Sequence, residues 1–141
     1  MKLKRFLFKK VKSTNNTAIR LINRGNDNGI ISAEIQTKGK GQRTNKWISN
    51  KGNLFISLFF KINSKFSLKK ITSKNLSILK KIISNQITKN INIKLPNDIL
   101  IDKKKVCGIL QEIIHHNDYK HLIVGIGINI INSPNILNYP T

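Results

Sequence analysis

The fold is decided by the stretch "INIKLPNDILIDKKKVCGILQEII" (91–114), in which short apolar runs are separated only by turn residues. Apolar and polar residues alternate from Ile91 to Leu95 and stop at a proline, as expected for a strand that ends at a turn. The next residues, "DKKK" (102–105), predict a polar turn, and "VCGILQEII" (106–114) predicts a returning strand. We therefore expect consecutive strands of one sheet in this part of the chain.

The segment that precedes these strands predicts one long amphipathic helix, "SLKKITSKNLSILKKIISNQITKN" (67–90). Lysines fill one face of this helix, and the apolar residues on the other face recur every three to five positions: Ile71, Leu76, Leu79, Ile83 and Ile87. Further upstream, "GIISAEIQ" (29–36) predicts a strand, and "NLFISLFFK" (53–61) predicts a buried one.

The two ends of the sequence add three elements. Residues Phe6 to Val11 predict a short strand, and a hydroxyl of Ser13 or Thr14 can cap a helix that Gly25 ends. The run "YKHLIVGIGINI" (119–130) predicts another strand. The resulting order, β-α-β-β-α-β-β-β-β, predicts an α+β fold: a mixed β-sheet with helices packed mainly on one face.

Composition limits the class of protein. The 141 residues suit one domain with its own core, and 26 Lys and Arg against 6 Asp and Glu give a net charge of +20. This charge suits a nucleic-acid binder, but the lysines are spread along the chain, so a solvated basic surface explains it equally well. No apolar run reaches the roughly 20 residues of a membrane helix or resembles a secretory signal, and one cysteine excludes an internal disulfide. We expect a cytoplasmic protein without a membrane partner.

The loop "TKGKGQRTNKW" (37–47) concentrates glycines, cations and the single tryptophan of the chain. Glycines let a backbone approach a ligand and present N–H groups to an anion, and a tryptophan offers a face for a base. The loop matches neither the dinucleotide fingerprint nor the P-loop, and "GIGIN" (125–129) also lacks the third glycine of the fingerprint. A ligand-binding loop and a flexible basic loop remain open. The residues concerned are Gly39, Lys40, Gly41, Arg43, Lys46 and Trp47.

A second unusual feature is the turn that contains Asn97 and Asp98. Asp98 is one of only six acidic residues, and its carboxylate could hold Mg²⁺ or steer an amine. Lys105, which follows the next turn, could reach the same site. An ordinary turn and a surface lysine are the alternative interpretations.

The histidines and the cysteine give no indication of catalysis. Adjacent residues of a strand point to opposite faces, so His115 and His116 do not share a metal. His121 is isolated in the sequence, and we predict that it is a structural or surface residue. Cys107 is predicted to act as a small, buried apolar residue of its strand.

Four motifs together resemble the biotin–protein ligase family. They are "STNN" (13–16), "AEIQTKGKGQRTNKWIS" (33–49), "KLPNDILIDKKKVCGIL" (94–110) and "VGIGINI" (124–130), and they occur in the family's order across nearly the whole chain. The resemblance implies the catalytic core of that family, with a fold like that of class II aminoacyl-tRNA synthetases and biotin ligases.

The resemblance also implies the reaction and the residues that serve it. The enzyme would use ATP and Mg²⁺ to adenylate biotin, and would then transfer biotin to a lysine of the biotin carboxyl carrier protein of acetyl-CoA carboxylase. The implied catalytic residues are Lys105, Asp98 and Lys40, with Asp98 also a possible Mg²⁺ ligand. The implied biotin-binding residues are Ser13, Thr14, Asn15, Gln36, Gly39, Lys40, Gly41, Lys105 and Gly108. The implied ATP-binding residues are Gln42, Arg43, Lys46, Trp47, Asn97 and Asn129.

The chain departs from the family pattern at several positions. Lys40 replaces an arginine and keeps the charge without the bidentate fork, and Gln42 stands where a second arginine is common. Thr44 and Asn45 replace a Gly-Arg pair, and Leu95 replaces an aromatic residue.

The expected organisation is one catalytic domain over 1–141, shortened at its C-terminal end, without an N-terminal helix-turn-helix or a C-terminal β-barrel domain. Specific DNA binding is not expected, and a homodimer is possible. Three alternatives stay open: a lipoate or other acyl–protein ligase, a non-catalytic basic module that binds nucleic acid, and an inactive truncated remnant.

Overall fold

The computed structural model describes residues 2–63, 65 and 67–131. Its elements, in chain order, are β1 (Arg5–Val11), α1 (Thr14–Asn23), β2 (Asn28–Gln36), β3 (Leu54–Ile62), α2 (Leu68–Ser84), β4 (Ile91–Lys94), β5 (Asp98–Ile101), β6 (Lys104–His116) and β7 (Tyr119–Ile128). This order is the predicted one. The predicted domain extends beyond these elements, and its residues from 132 onward lie outside the described part of the chain.

The strands form one seven-stranded sheet in the order β1-β2-β3-β7-β6-β5-β4. β1 is parallel to β2, and every other neighbouring pair is antiparallel. The predicted mixed sheet and the α+β class are therefore confirmed. β7 lies in the centre, between β3 and β6, and joins the first three strands to the last three of the sheet.

Two tight turns set the register of the second half of the sheet. Asp102 and Lys103 join β5 to β6 with φ angles of 49° and 68°, and Asn117 and Asp118 join β6 to β7 with 45° and 61°. Two-residue turns with positive φ match the twist of the strands that they connect. The first turn is shorter than the predicted "DKKK", and Lys105, which was predicted to follow the turn, lies in β6.

Both helices begin at a capping hydroxyl. Ser13 accepts a hydrogen bond from the backbone N–H of Asn16, and Ser67 accepts one from that of Lys70. α2 ends at Ser84, six residues before the end of the predicted helix. Within the described ranges, no helix is long and apolar enough to cross a membrane.

The two helices pack on opposite faces of the sheet, whereas the sequence predicted mainly one face. Ile22 of α1 packs in a cluster with Ile123 of β7, and Leu76 of α2 packs in another cluster with Leu122 and Val124. Successive side chains of a strand point to opposite faces, so these two clusters lie on the two sides of β7.

The sequence of β7 carries the physical reason for this difference. Residues 121–125, "HLIVG", do not alternate between apolar and polar, and all five are buried. Uninterrupted apolar runs are typical of strands that are covered on both faces. A helix on each side of the sheet provides that cover.

Burial of His121 should make the stability of the fold depend on pH. His121 is 2% exposed, and desolvation lowers its pKa; the neighbouring Lys61 and His116 add to the effect, while Asp27 opposes it. Below about pH 6.5 the unfolded chain binds a proton that the buried imidazole takes up less readily. We therefore expect the free energy of unfolding to be highest above that pH and to fall as the solution is acidified.

Urea unfolding between about pH 8 and pH 5 measures this dependence, because in this pH range histidines titrate and most carboxylates do not. The Lys61 ammonium lowers the pKa of Asp27, so that carboxylate contributes only at more acidic pH. His121→Gln should flatten the dependence, and the control His115→Gln, at an exposed position, should keep it. An equally steep dependence in His121→Gln would contradict the assignment.

Candidate functional site

A cavity of about 290 Å³ lies where the start of α1, loop 37–48, the β4–β5 turn, β6 and the end of β7 meet. Nearly all residues predicted from the sequence line it: Ser13, Thr14, Asn15, Gln36, Lys40, Gly41, Gln42, Arg43, Lys46, Trp47, Asn97, Asp98, Lys105, Gly108 and Asn129. Gly39 is the exception. It is buried within the loop, where a side chain would collide with the loop's own backbone and with Ser49.

The floor of the cavity is formed by two glycines. Gly108 of β6 is paired in register with Gly127 of β7, and Asp98 of β5 lies on the other side of Gly108. A Cβ atom at Gly108 would lie 2.7 Å from Cζ3 of Trp47, and one at Gly127 would lie 2.5 Å from Cε2 of Trp47. The indole therefore lies directly on the backbone, and only glycine leaves room for it.

Loop 37–48 is a small hairpin. The backbone N–H of Gly41 donates to the carbonyl of Asn45 at 2.8 Å, and that of Trp47 donates to the carbonyl of Gly39 at 2.9 Å. Arg43 lies near its tip with a φ of 57°. These contacts favour a formed ligand-binding loop over a flexible basic one.

Lys105 and Asp98 form a buried ion pair at the cavity wall. Lys105 Nζ lies 2.9 Å from Asp98 Oδ1, and the two side chains are 14% and 8% exposed. The same ammonium lies 5.1 Å from the centroid of the Trp47 ring. Lys105 thus lies in the site and not at the surface, and it offers a fixed positive charge to an anionic ligand.

The turn before β5 is fastened to β6. The side-chain amide of Asn97 donates to the carbonyl of Ile109 at 2.9 Å, and the backbone N–H of Ile109 donates to the carbonyl of Asn97 at 2.9 Å. The two bonds hold Asp98 at the start of β5, beside the cavity. Asn97 therefore braces the turn in addition to lining the site.

A second polar system, without net charge, connects α1 to the loop. The backbone N–H of Thr14 donates to Gln36 Oε1 at 2.7 Å, and Gln36 Nε2 donates to Ser49 Oγ at 3.0 Å. Ser57 Oγ donates to Asn15 Oδ1 at 2.6 Å and lies 2.8 Å from Thr14 Oγ1. Ser57 is fully buried at the centre of this network.

The sequence interpretation missed Ser57, Ser49 and Glu112. A signal was present for Ser57, because a hydroxyl in the middle of the apolar strand "LFISLFF" requires a buried partner. Glu112 accepts a hydrogen bond from Asn15 Nδ2 at 2.7 Å and pairs with Lys40 Nζ at 3.0 Å. Its strand position gave no indication of either contact.

The remaining reactive side chains give no sign of a nucleophile or a metal centre. Burial, with a smaller contribution from the Asp98 charge, raises the pKa of the Cys107 thiol to about 12, which agrees with the predicted apolar role. Over the described ranges, no three His, Cys, Asp or Glu side chains come together to hold a metal ion.

Comparisons with known proteins agree with this site. The model of the biotin/lipoate A/B protein ligase family matches residues 7–129. The chain is 35% identical over 131 residues to the bifunctional ligase/repressor BirA of Bacillus subtilis, and 28% identical over 127 residues to BirA of Escherichia coli. These alignments cover 87% and 85% of this chain but only 39% and 38% of the two relatives.

Solved structures show the same fold. Biotin protein ligase from Aquifex aeolicus, in complex with biotin and ATP, is 29% identical with a TM-score of 0.74 over 96% of this chain and 55% of the other. Biotin protein ligase from Leishmania major, in complex with biotinyl-5-AMP, is 25% identical with a TM-score of 0.71 over 100% of this chain and 63% of the other. With a family model matched over most of its length, the chain belongs to the biotin/lipoate A/B protein ligase family.

Proposed function

We propose that this chain holds the site in which biotin is adenylated by ATP and then passed to a lysine of a carrier protein. The observation that carries the proposal is one cavity that combines a buried Lys105–Asp98 pair, an indole on a glycine floor and a neutral hydrogen-bonding network. Two related enzymes of similar fold support the choice of ligands, since they were solved with biotin and ATP and with biotinyl-5-AMP.

The chemistry requires two anions to meet. A carboxylate oxygen of biotin attacks the α-phosphorus of ATP, a mixed anhydride forms, and pyrophosphate leaves. Positioning and positive charge are the main means of lowering this barrier. Lys105 offers its ammonium at a fixed place in the cavity wall, where solvent screening is weak. In the second step the amine of the carrier lysine attacks the carbonyl of the anhydride, AMP leaves, and an amide forms.

We assign the neutral network to biotin, whose ring system carries uncharged donors and acceptors. Asn15, Gln36 and the hydroxyls around them present matching groups. Gly108 lines the cavity as part of its floor, and loop 37–48 covers the ligand from water. The biotin-binding residues of the proposal are Ser13, Thr14, Asn15, Gln36, Gly39, Lys40, Gly41, Lys105 and Gly108.

We assign the indole and the cationic loop tip to ATP. Trp47 Nε1 is buried and has no acceptor within the described residues, so an acceptor on a ligand would satisfy it. Asn129, which lines the cavity next to the glycine floor, offers a further amide to adenine. Gln42, Arg43, Lys46 and Asn97 surround the space left for the phosphates.

Mg²⁺ is an expected companion of ATP, but Asp98 fits poorly as its protein ligand. Its carboxylate is buried against the Lys105 ammonium, which repels a second cation. We therefore assign Asp98 to the positioning of Lys105. A magnesium ion would depend on phosphate oxygens and water, which it commonly retains as ligands.

The carrier is the remaining substrate of the proposed reaction. The biotin carboxyl carrier protein of acetyl-CoA carboxylase is the expected one, since its acceptor lysine consumes the anhydride. The homodimer, which the sequence only leaves open, and the predicted cytoplasmic location are not tested by these observations.

Exchange of labelled pyrophosphate into ATP tests the proposal, with biotin, lipoate and no acid as three parallel reactions. Because the matched family model covers both biotin and lipoate ligases, lipoate is the necessary comparison. Exchange with biotin alone is the expected result. Exchange with lipoate alone would assign the chain to the other branch, and no exchange by folded protein would favour a remnant or a nucleic-acid-binding module.

Replacement of Ser57 should affect biotin more than ATP. Ser57→Ala removes the hydrogen bond to Asn15 Oδ1 in a fully buried position. The loss of a buried hydrogen bond costs about 1–3 kcal/mol, so we expect the KM for biotin to rise about tenfold with a small change for ATP. Steady-state exchange kinetics measure both values.

Ser32→Ala is the matched control, because Ser32 also lies within a strand but on the other face of the sheet. Its neighbour Ile31 is the residue that pairs in register with Ser57. Its KM values should remain those of the parent chain. Equal changes for ATP and biotin in Ser57→Ala would show that the network is not a biotin subsite.

A further inference from the structure

Glu112 lies beneath loop 37–48 and contacts both the loop and α1. Its Oε1 lies 3.0 Å from the ammonium of Lys40 in the loop, and its Oε2 accepts a hydrogen bond of 2.7 Å from Asn15 Nδ2. Lys40 also donates to Asn16 Oδ1 at 3.1 Å. One carboxylate thus joins the loop, the start of α1 and β6.

The carboxylate also fixes how the Asn15 amide is turned. A carboxylate only accepts hydrogen bonds, so the NH₂ group of Asn15 must face Glu112. The amide oxygen of Asn15 must then face Ser57, whose hydroxyl donates to it at 2.6 Å. The backbone carbonyl of Leu110 accepts from the same NH₂ group at 3.4 Å, so Glu112 supplies the shorter and charged of its two acceptors.

The loop is fastened at its other end by the same network. Ser49 Oγ donates to the carbonyl of Trp47 at 3.3 Å and accepts from Gln36, which holds Thr14. Lys40 and Ser49 lie on either side of the hairpin tip. Of these two attachments, only the one at Lys40 rests on charge; its side chains are 38% and 25% exposed.

We propose that Glu112 is a positioning residue that holds loop 37–48 closed through Lys40 and, through Asn15, orients the subsite under the loop. This inference rests on the proposed function where it concerns biotin, but the closure itself is a property of the chain alone. Glu112 touches neither the reacting carboxylate nor the phosphate in this scheme. Its effect should therefore appear in retention of ligands and not in the chemical step.

The first experiment needs no substrate. Limited trypsin digestion is followed at Arg43 at the loop tip, and the masses of the fragments distinguish this cleavage from cleavage after the lysines of the loop. Because a half-exposed ion pair contributes about 1 kcal/mol or less, Glu112→Gln should be cut up to about fivefold faster than the parent chain at low ionic strength. Added salt should reduce that difference by accelerating cleavage of the parent chain.

Two further variants make the result specific. Glu34→Gln removes an exposed acid of β2 and should be cut at the parental rate. Lys40→Met, at an exposed position outside the core, should be cut as fast as Glu112→Gln, and the double variant should be no faster than either single one. Thermal unfolding of each variant verifies that the whole chain remains folded.

The second experiment uses the proposed reaction. With biotin and ATP but no carrier, Glu112→Gln should release biotinyl-5′-AMP about fivefold faster and show a raised KM for biotin, at nearly unchanged kcat for exchange. Faster digestion without exchange in the parent chain would support the closure and reject the proposed function. Parental digestion of Glu112→Gln would overturn the inference, whatever the exchange assay shows.

Discussion

Replacing Lys105 with alanine should reduce biotin-dependent pyrophosphate exchange on the order of a thousandfold, the size of effect expected for removing a preorganised group that stabilises developing charge. The ammonium is the cation held deepest beside the glycine floor, 2.9 Å from Asp98. Without it, the carboxylate of biotin and the α-phosphate would meet beside an uncompensated aspartate. The measurement is exchange at saturating biotin and ATP.

The stability of the variant must be measured as well, because Lys105→Ala leaves the buried Asp98 carboxylate without its lysine partner. Breaking a buried ion pair in this way costs about 3–5 kcal/mol. The double variant Lys105→Ala/Asp98→Asn removes that charge as well and should recover stability without recovering exchange. Lys104→Ala, at the exposed neighbouring position, is the matched control and should behave like the parent chain. Substantial exchange by either folded Lys105 variant would remove Lys105 from the mechanism.

Gly127→Ala should weaken ATP binding on the order of 30-fold, because the added methyl group would displace the indole of Trp47. A Cβ atom at position 127 would lie 2.5 Å from Cε2 of Trp47, so the ring must leave the floor of the cavity. Stacking on an aromatic ring is worth about 1–3 kcal/mol per base, and this contribution would be lost from the adenine side of the site. The KM for ATP should rise much more than the KM for biotin.

A double-variant comparison identifies the cause. Trp47→Ala alone should also raise the KM for ATP more than that for biotin, and it leaves room for the methyl group. In the Trp47→Ala background, Gly127→Ala should therefore add little. If Gly127→Ala weakened ATP binding in that background as much as it does alone, Gly127 would contact the nucleotide directly. The requirement for glycine at this position would then not come from the indole.

The order of the elements could be read from local sequence because each depends on near neighbours. Alternation around Phe6 and in 91–95, the amphipathic pattern of α2, and the capping hydroxyl of Ser13 all act within a few residues. The placement of the helices could not be derived in the same way. It depends on which face of β7 each helix covers, and the unbroken buried run 121–125 shows only that both faces are covered.

The same distinction applies to the site. Lys105, Asp98 and Trp47 were selected because unusual residues stood in motifs that resemble a known family. Glu112 and Ser57 stand in ordinary strands, and their contacts with Asn15 span 97 and 42 residues of sequence. No pattern in one sequence indicates that such residues meet, because the register of distant strands decides it.

The central place of β7 has a consequence for synthesis on the ribosome. β3 and β6 both precede β7 in the chain, but they are not neighbours in the sheet and are joined only through it. Until β7 has left the exit tunnel, strands β1–β3 and strands β4–β6 cannot join into one sheet. Gly127 also cannot yet support Trp47. A nascent chain that lacks β7 therefore cannot bind a nucleotide at the proposed site, and such a ligand would stabilise only chains in which all seven strands have emerged.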